Sequence, residues 1–159
     1  MKNIREAKAS DCKLILELIR ELAKFERLSH QVEASEQALS EHLFSPNPKT
    51  HVLIAEVDGV GVGFALYFYS FSTFLAKPGI YLEDLYVQEA YRSQGIGSDL
   101  LQKLAKIAKE QKLGRLEWSV LDWNKKAIDF YLRLGALPMS EWTVFHMNES
   151  AISKFAEKT

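Results

Sequence analysis

Residues 81–98 run from an apolar stretch through a glycine-containing turn into a helical pattern, and no other feature constrains the chain as tightly. Tyr81, Leu82, Leu85, Tyr86 and Val87 supply the aromatic and aliphatic content of a buried strand. From Gly95 onward the spacing becomes helical, with Leu100, Leu101, Leu104 and Ile107 on one face. Between the two lies Arg92-Ser93-Gln94-Gly95-Ile96-Gly97-Ser98. The first N–H groups of a helix are unpaired and carry a partial positive charge, so they attract phosphate. Glycine lets a phosphate approach the backbone with no Cβ in the way. Arg92 adds a cation with a fork of donors. The segment is therefore suited to hold a diphosphate. The plainer alternative is a helix start with a solvent-facing arginine, and the strand and helix on either side favour the binding loop.

The dinucleotide fingerprint needs a third glycine at position 100, which is Leu. The nucleoside-triphosphate loop needs a lysine after a glycine, and neither Gly95 nor Gly97 is followed by one. What remains is Arg-x-x-Gly-x-Gly after a strand.

Composition bounds the partners. The 159 residues are 47% hydrophobic, enough for one domain spanning 1–159 with a core of its own. Twenty Lys and Arg against 21 Asp and Glu leave a net charge of −1, with no basic excess to suggest nucleic acid. No apolar run approaches the ~20 residues that cross a bilayer, so no membrane partner is expected. The single Cys12 allows no internal disulfide, and with no secretion signal in view it suggests the reducing cytoplasm. His30, His42, His51 and His146 are scattered, and no metal is expected.

The remaining periodicity predicts strands over 3–8, 51–57, 60–69, 81–87, 115–121 and 142–147. It predicts helices from Ser10 or Asp11 to about Arg27, over 35–44, from Gly95 to Gly114, and from Asn124 to Leu134, with a terminal helix over 151–157. Asp58-Gly59 reads as a hairpin turn, and 70–79 as a loop. The order up to the last strand is β-α-α-β-β-β-α-β-α-β, an α/β domain with a single mixed central sheet flanked by helices.

That order, with the Arg-x-x-Gly-x-Gly loop at its middle, resembles the GNAT acetyltransferase fold and its acyl-CoA pyrophosphate loop over nearly the whole chain. Four separated stretches narrow the likeness: Glu21-Leu22-Ala23-Lys24-Phe25-Glu26, Tyr81-Leu82-Glu83-Asp84, Tyr91-Arg92 through Gly95-Ile96-Gly97-Ser98, and Leu121-Asp122-Trp123-Asn124. They resemble the spermidine/spermine acetyltransferase family. Ser72-Thr73 and Leu121-Asp122 are closer to its thialysine ε-acetyltransferase branch, since the polyamine branch carries Asp-Pro-Trp near position 72 and Ala-Glu at 121 and 122. The resemblance implies acetyl transfer from acetyl-CoA to the primary amine of a small cationic molecule such as thialysine or lysine, in a homodimer. A polyamine acetyltransferase is the rival within the class. A non-catalytic acyl-CoA sensor is the rival from another class, and such a sensor needs neither acid nor base.

Acetyl transfer to an amine requires anchored phosphates, a polarised carbonyl, a proton acceptor for the ammonium and a proton donor for the thiolate. The anchor is Arg92, Gln94, Gly95, Ile96, Gly97 and Ser98. The resemblance adds Asn124, whose other role is a helix cap. It also assigns polarisation to backbone N–H groups between Leu85 and Val87, on a strand that splays from its parallel neighbour. Tyr131 fits the family's tyrosine acid. A phenol of pKa ~10 is protonated at neutral pH and can donate, although an apolar helix face also accommodates a packed tyrosine. Glu83 and Asp84, adjacent on a strand, point to opposite sides and cannot share a proton without backbone distortion. The resemblance places Glu83 near the amine through water. Asp84 reads as a structural acceptor or a substrate ligand. Glu26 ends a helix where an acidic side chain is mildly unfavourable, which fits either a cation ligand or a solvated surface group. Ser72, Thr73, Phe74, Leu121 and Asp122 complete the expected amine site.

Overall fold

The computed structural model describes residues 1–158 and contains two compact units that meet in sequence at Leu121 and Asp122. The first unit holds one five-stranded sheet of order β1-β2-β3-β4-β5, formed by β1 (Lys2–Glu6), β2 (Thr50–Val57), β3 (Val60–Ser72), β4 (Lys77–Val87) and β5 (Leu116–Trp118). The first four strands are antiparallel neighbours and β5 joins β4 in parallel, so the sheet is mixed. Helices α1 (Cys12–Phe25), α2 (Glu36–Leu43) and α3 (Ile96–Glu110) complete this unit.

Strand alternation explains the layering. Ile54, Phe64 and Tyr86 point to one face and pack with Ile15, Leu18 and Leu22 of α1 and Leu43 of α2. Leu53, Ala55 and Ala65 point the other way and are equally buried, on the face that α3 covers through Leu100, Leu101 and Leu104. The central strands read as nearly continuous apolar runs because both faces are covered.

Asp11 does not cap α1 with its side chain. It accepts from both terminal guanidinium nitrogens of Arg5, at 2.7 and 3.0 Å, and from the Lys8 N–H at 2.7 Å. The Arg5 Nε reaches Glu56 at 2.7 Å, which ties β1, β2 and the entry to α1 together. Most of the expected 70–79 loop is strand: β3 runs on to Ser72 and β4 begins at Lys77, so only a tight tip remains.

The second unit contains α4 (Lys125–Arg133) and α5 (Glu149–Ala156). Asn124 caps α4, its Oδ1 accepting from the Ala127 N–H at 3.3 Å. Gly135, at φ +93°, ends that helix in a left-handed conformation that glycine adopts freely. The expected strand at 142–147 does not form. A strand needs a neighbour for its backbone groups, and within this unit the stretch has none; the Trp142 N–H makes only a local turn bond to the Met139 carbonyl. No helix among the described residues is long and apolar enough to cross a membrane. No three His, Cys, Asp or Glu side chains among them group as a metal site requires.

Candidate active site

The glycine loop folds as its composition dictates. Ser93 and Gly95 take left-handed backbone at φ +65° and +81°, and Gly95 serves as the N-cap of α3. Having no side chain, Gly95 leaves the first N–H groups of α3, at Ile96, Gly97 and Ser98, without a side-chain acceptor. A Cβ built on Gly97 would meet nothing within 4 Å, so the surface above it is open. Lys2 braces the loop, its Nζ donating to the Gln94 carbonyl at 2.8 Å and to Asp99 at 3.0 Å. Nothing in the sequence marked Lys2 for this role, because the contact joins opposite ends of the unit.

Arg92 is engaged by protein groups. Its Nε donates to the Val87 carbonyl at 2.9 Å, and its guanidinium lies 5.0 Å from the Phe25 ring and 5.4 Å from the Tyr86 ring. It clasps the end of β4 to the end of α1. The first N–H groups of α3 are thus the donors of the loop that no side chain caps.

The β4–β5 ladder stops early. Parallel pairing ends at Leu82 with Trp118, whereas β4 continues to Val87. Residues 83–87, which include Leu85 and Val87, therefore have β3 on one side and no ladder partner on the other. The Tyr81 and Ser119 hydroxyls, 2.7 Å apart, sit where the two strands part. Beyond Leu82 that edge of β4 carries no ladder partner from β5. No pattern of side chains reports it, since it is a property of two backbones.

Glu83 and Asp84 lie on that open stretch. The β3–β4 register shifts between Leu66 and Tyr67: Tyr67 faces Leu82 and Leu66 faces Asp84, leaving Glu83 as an extra, exposed residue. The backbone distortion that strict alternation excluded is present. Asp84 is half-buried, and its carboxyl is pushed up to about 7 by burial, then by the charges of Glu83 and Glu26. Glu26 follows the last turn of α1, and burial raises its carboxyl as well. Three carboxylates thus converge beside the splayed strand.

Other expected residues are placed apart from them. Ser72 is buried, its Oγ accepting the Leu75 N–H at 3.2 Å, so it holds the hairpin tip together. Thr73 is exposed and Phe74 fully exposed on that tip. Along β4, roughly 23 Å of strand separates Lys77, the partner of Ser72, from Asp84, at ~3.3 Å per residue. The tip does not reach the carboxylates of its own chain. Leu121 closes the first unit, half-buried, and Asp122 opens the second, exposed. In the second unit Tyr131 is half-buried on α4, its ring tilted against Phe130 at 5.5 Å.

The family model described as "Acetyltransferase (GNAT) family" matches residues 15–136. A thialysine N-epsilon-acetyltransferase from Bos taurus is 44% identical, over 98% of this chain and 97% of its own length. A spermidine/spermine N(1)-acetyltransferase-like protein 1 from Homo sapiens is 36% identical over 96% of this chain and 23% of its own. Among solved structures, an integron cassette protein from the mobile metagenome of V. cholerae superposes with a TM-score of 0.82 at 27% identity, covering 99% of this chain and 98% of the other.

Proposed function

Because the chain belongs to the GNAT acetyltransferase family, we propose that it acetylates the terminal amine of a small diamino acid of the thialysine or lysine type, with acetyl-CoA as donor. The observation that carries this reading is the meeting of Glu26, Glu83 and Asp84 beside residues 83–87 of β4, where the strand has lost its neighbour. An alkylammonium of pKa ~10.4 arrives charged and needs both a counter-charge and a proton acceptor. The carboxylates provide the counter-charge, and Glu83, being exposed, meets the amine first.

The loop suits acetyl-CoA. The uncapped N–H groups of Ile96, Gly97 and Ser98, with open space above Gly97, form a cradle that a side chain would fill. Bound there, acetyl-CoA supplies an acetyl group on a good leaving group. Arg92 fixes the cradle to the strand that carries the carboxylates. Backbone N–H groups between Leu85 and Val87 are the donors for a carbonyl oxygen, and Asn124 and Tyr131 are assigned to cofactor contact and proton donation by their place in the family pattern. Both units are assigned to one catalytic domain, because the family match runs through residues 15–136 without a break at the boundary. We assign the enzyme to the cytoplasm, consistent with its single buried, unpaired Cys12, and to a homodimer.

Polyamine acetylation is the second reading, favoured by the same carboxylates and by the human relative. The thialysine N-epsilon-acetyltransferase relatives, 42–44% identical over nearly the whole chain, favour the shorter diamine. Thiol release from acetyl-CoA, measured with thialysine, lysine, ornithine and spermidine at matched salt, separates the two. We expect the highest kcat/KM for thialysine or lysine. Equal or better turnover of spermidine would overturn the diamino-acid assignment, and no turnover of any amine would overturn the function.

A further inference from the structure

We propose that Asp84, rather than the exposed Glu83, is the terminal acceptor that holds the proton released when the bound ammonium becomes a nucleophile. This rests on the acetyl-transfer reading above and names the residue that completes it.

The bulge decides which way the carboxyl points. Cross-strand partners share a face. Leu66, the partner of Asp84, packs against the core under α1 and α2, and so does Tyr86, two residues further along β4. In an unbulged strand Asp84 would share the face of Ile80 and Leu82. The extra residue, Glu83, inverts that parity and brings Asp84 to the α1 face, where Glu26 lies.

The surroundings are those of a proton acceptor. Asp11, a structural aspartate in the same unit, takes three hydrogen bonds from Arg5 and Lys8 and is held below the usual carboxylate range, first by the Arg5 hydrogen bonds. Asp84 receives no hydrogen bond from any described side chain, and the charges acting on it are both negative, Glu83 on its own strand and Glu26 from α1. The other ionisable groups nearby are engaged elsewhere. Glu21 of α1 accepts from Gln88 at 3.2 Å, and Arg92 is bound to the Val87 carbonyl over the Tyr86 ring. Burial and the Glu21 charge raise the Tyr86 phenol, which stays neutral. A fold gains nothing from a donorless carboxyl between two carboxylates, whereas a base for an ammonium needs affinity for protons near neutral pH.

The proton count closes. One N–H bond of the ammonium breaks and its proton passes to an Asp84 carboxylate oxygen. The freed electron pair forms the N–C bond to the acetyl carbon, and the C–S pair leaves on sulfur. The nitrogen's second proton leaves to water, and the sulfur takes one proton from an acid, the role assigned above to Tyr131, which water then restores. Asp84 returns its proton to water before the next turnover.

The test combines carboxyl NMR titration of the amine-free enzyme with pH profiles of kcat/KM for Asp84→Asn, Glu83→Gln and Glu26→Gln. Asp84 is expected to titrate near 7, and to move to lower pH in Glu83→Gln and in Glu26→Gln, because each removes a neighbouring negative charge. The acidic limb of kcat/KM should follow the same shifts and vanish in Asp84→Asn, with kcat down about 10²–10⁴-fold. Asp84→Asn should melt no lower than wild type, since no donor is lost. An Asp84 that titrates near 4, an acidic limb that persists in Asp84→Asn, or a large loss of stability in that variant would overturn the proposal. Titration near 7 in an enzyme that acetylates no amine would remove the acetyl-transfer reading and this role with it, whereas an Asp84 near 4 in an active amine acetyltransferase would overturn the Asp84 assignment alone.

Discussion

Tyr131 differs from a packed phenylalanine by one hydroxyl, which makes its role separable from its packing. The ring is half-buried against Phe130 on α4. Tyr131→Phe keeps that ring, so the melting temperature should change little. If the hydroxyl donates the proton to the leaving thiolate, kcat falls by about 10²–10⁴-fold while KM for acetyl-CoA stays close to wild type. Steady-state kinetics that show nearly full kcat would return Tyr131 to the core. At this scale the sequence was legible in kind and illegible in position. The pair Glu83-Asp84 can be read off as adjacent acids on a strand. Which acid is buried depends on the β3–β4 register, a relation between residues far apart in the chain that alternation along one strand does not contain. Ser72 shows the same limit: a hydroxyl near the amine in a family pattern proves to hold a hairpin tip.

Among elements, the glycine loop was the most legible because its physics is local. Its two glycines do different work, and substitution should tell them apart. Gly95 sits at φ +81°, where an alanine costs about 1 kcal/mol. Gly95→Ala should therefore lower the denaturation midpoint. Gly97 has open space around it, so Gly97→Val should fold normally yet crowd the diphosphate. Calorimetry should show at least a tenfold loss in CoA affinity; unchanged affinity in the folded variant would remove the loop from the site. The Arg5–Asp11–Glu56 clasp was not legible, because it joins β1, the entry to α1 and β2. The Arg5 hydrogen bonds lower the carboxyls of both Asp11 and Glu56. A depressed carboxyl stabilises the fold above its unfolded pKa of ~4, and that stability is lost as pH falls through the folded value. The clasp's own contribution to urea stability should thus decline from pH 5 downward, while the raised Asp84 and Glu26 carboxyls act in the opposite sense. Asp11→Asn should flatten that decline and cost about 2 kcal/mol at pH 7, the scale of hydrogen bonds to charged groups.

For the whole molecule, residues 138–147 are the apolar stretch that most needs a cover. The stretch was expected to add a strand, and its alternation of Trp142, Val144 and Phe145 supports that pattern. The chain leaves it irregular, with Trp142 76%, Val144 86% and Phe145 93% exposed. Neither local propensity nor alternation was at fault; the missing quantity is a neighbouring strand, which one copy does not provide within the unit that holds this stretch. Apolar residues exposed in series mark an interaction surface, and backbone groups with no partner in their own unit are open to strand pairing. A second copy brings the same segment, and two-fold pairing satisfies both at once. Light scattering at micromolar concentration should give twice the 18.1 kDa of one chain. Trp142→Glu and Phe145→Glu place charges in the apolar series and should shift the mass toward one chain. The first unit's helical and strand signals in circular dichroism should persist, because its core draws on residues before 122. A wild-type mass of 18.1 kDa would show that the segment stays uncovered, and would remove the second copy from any account of this enzyme.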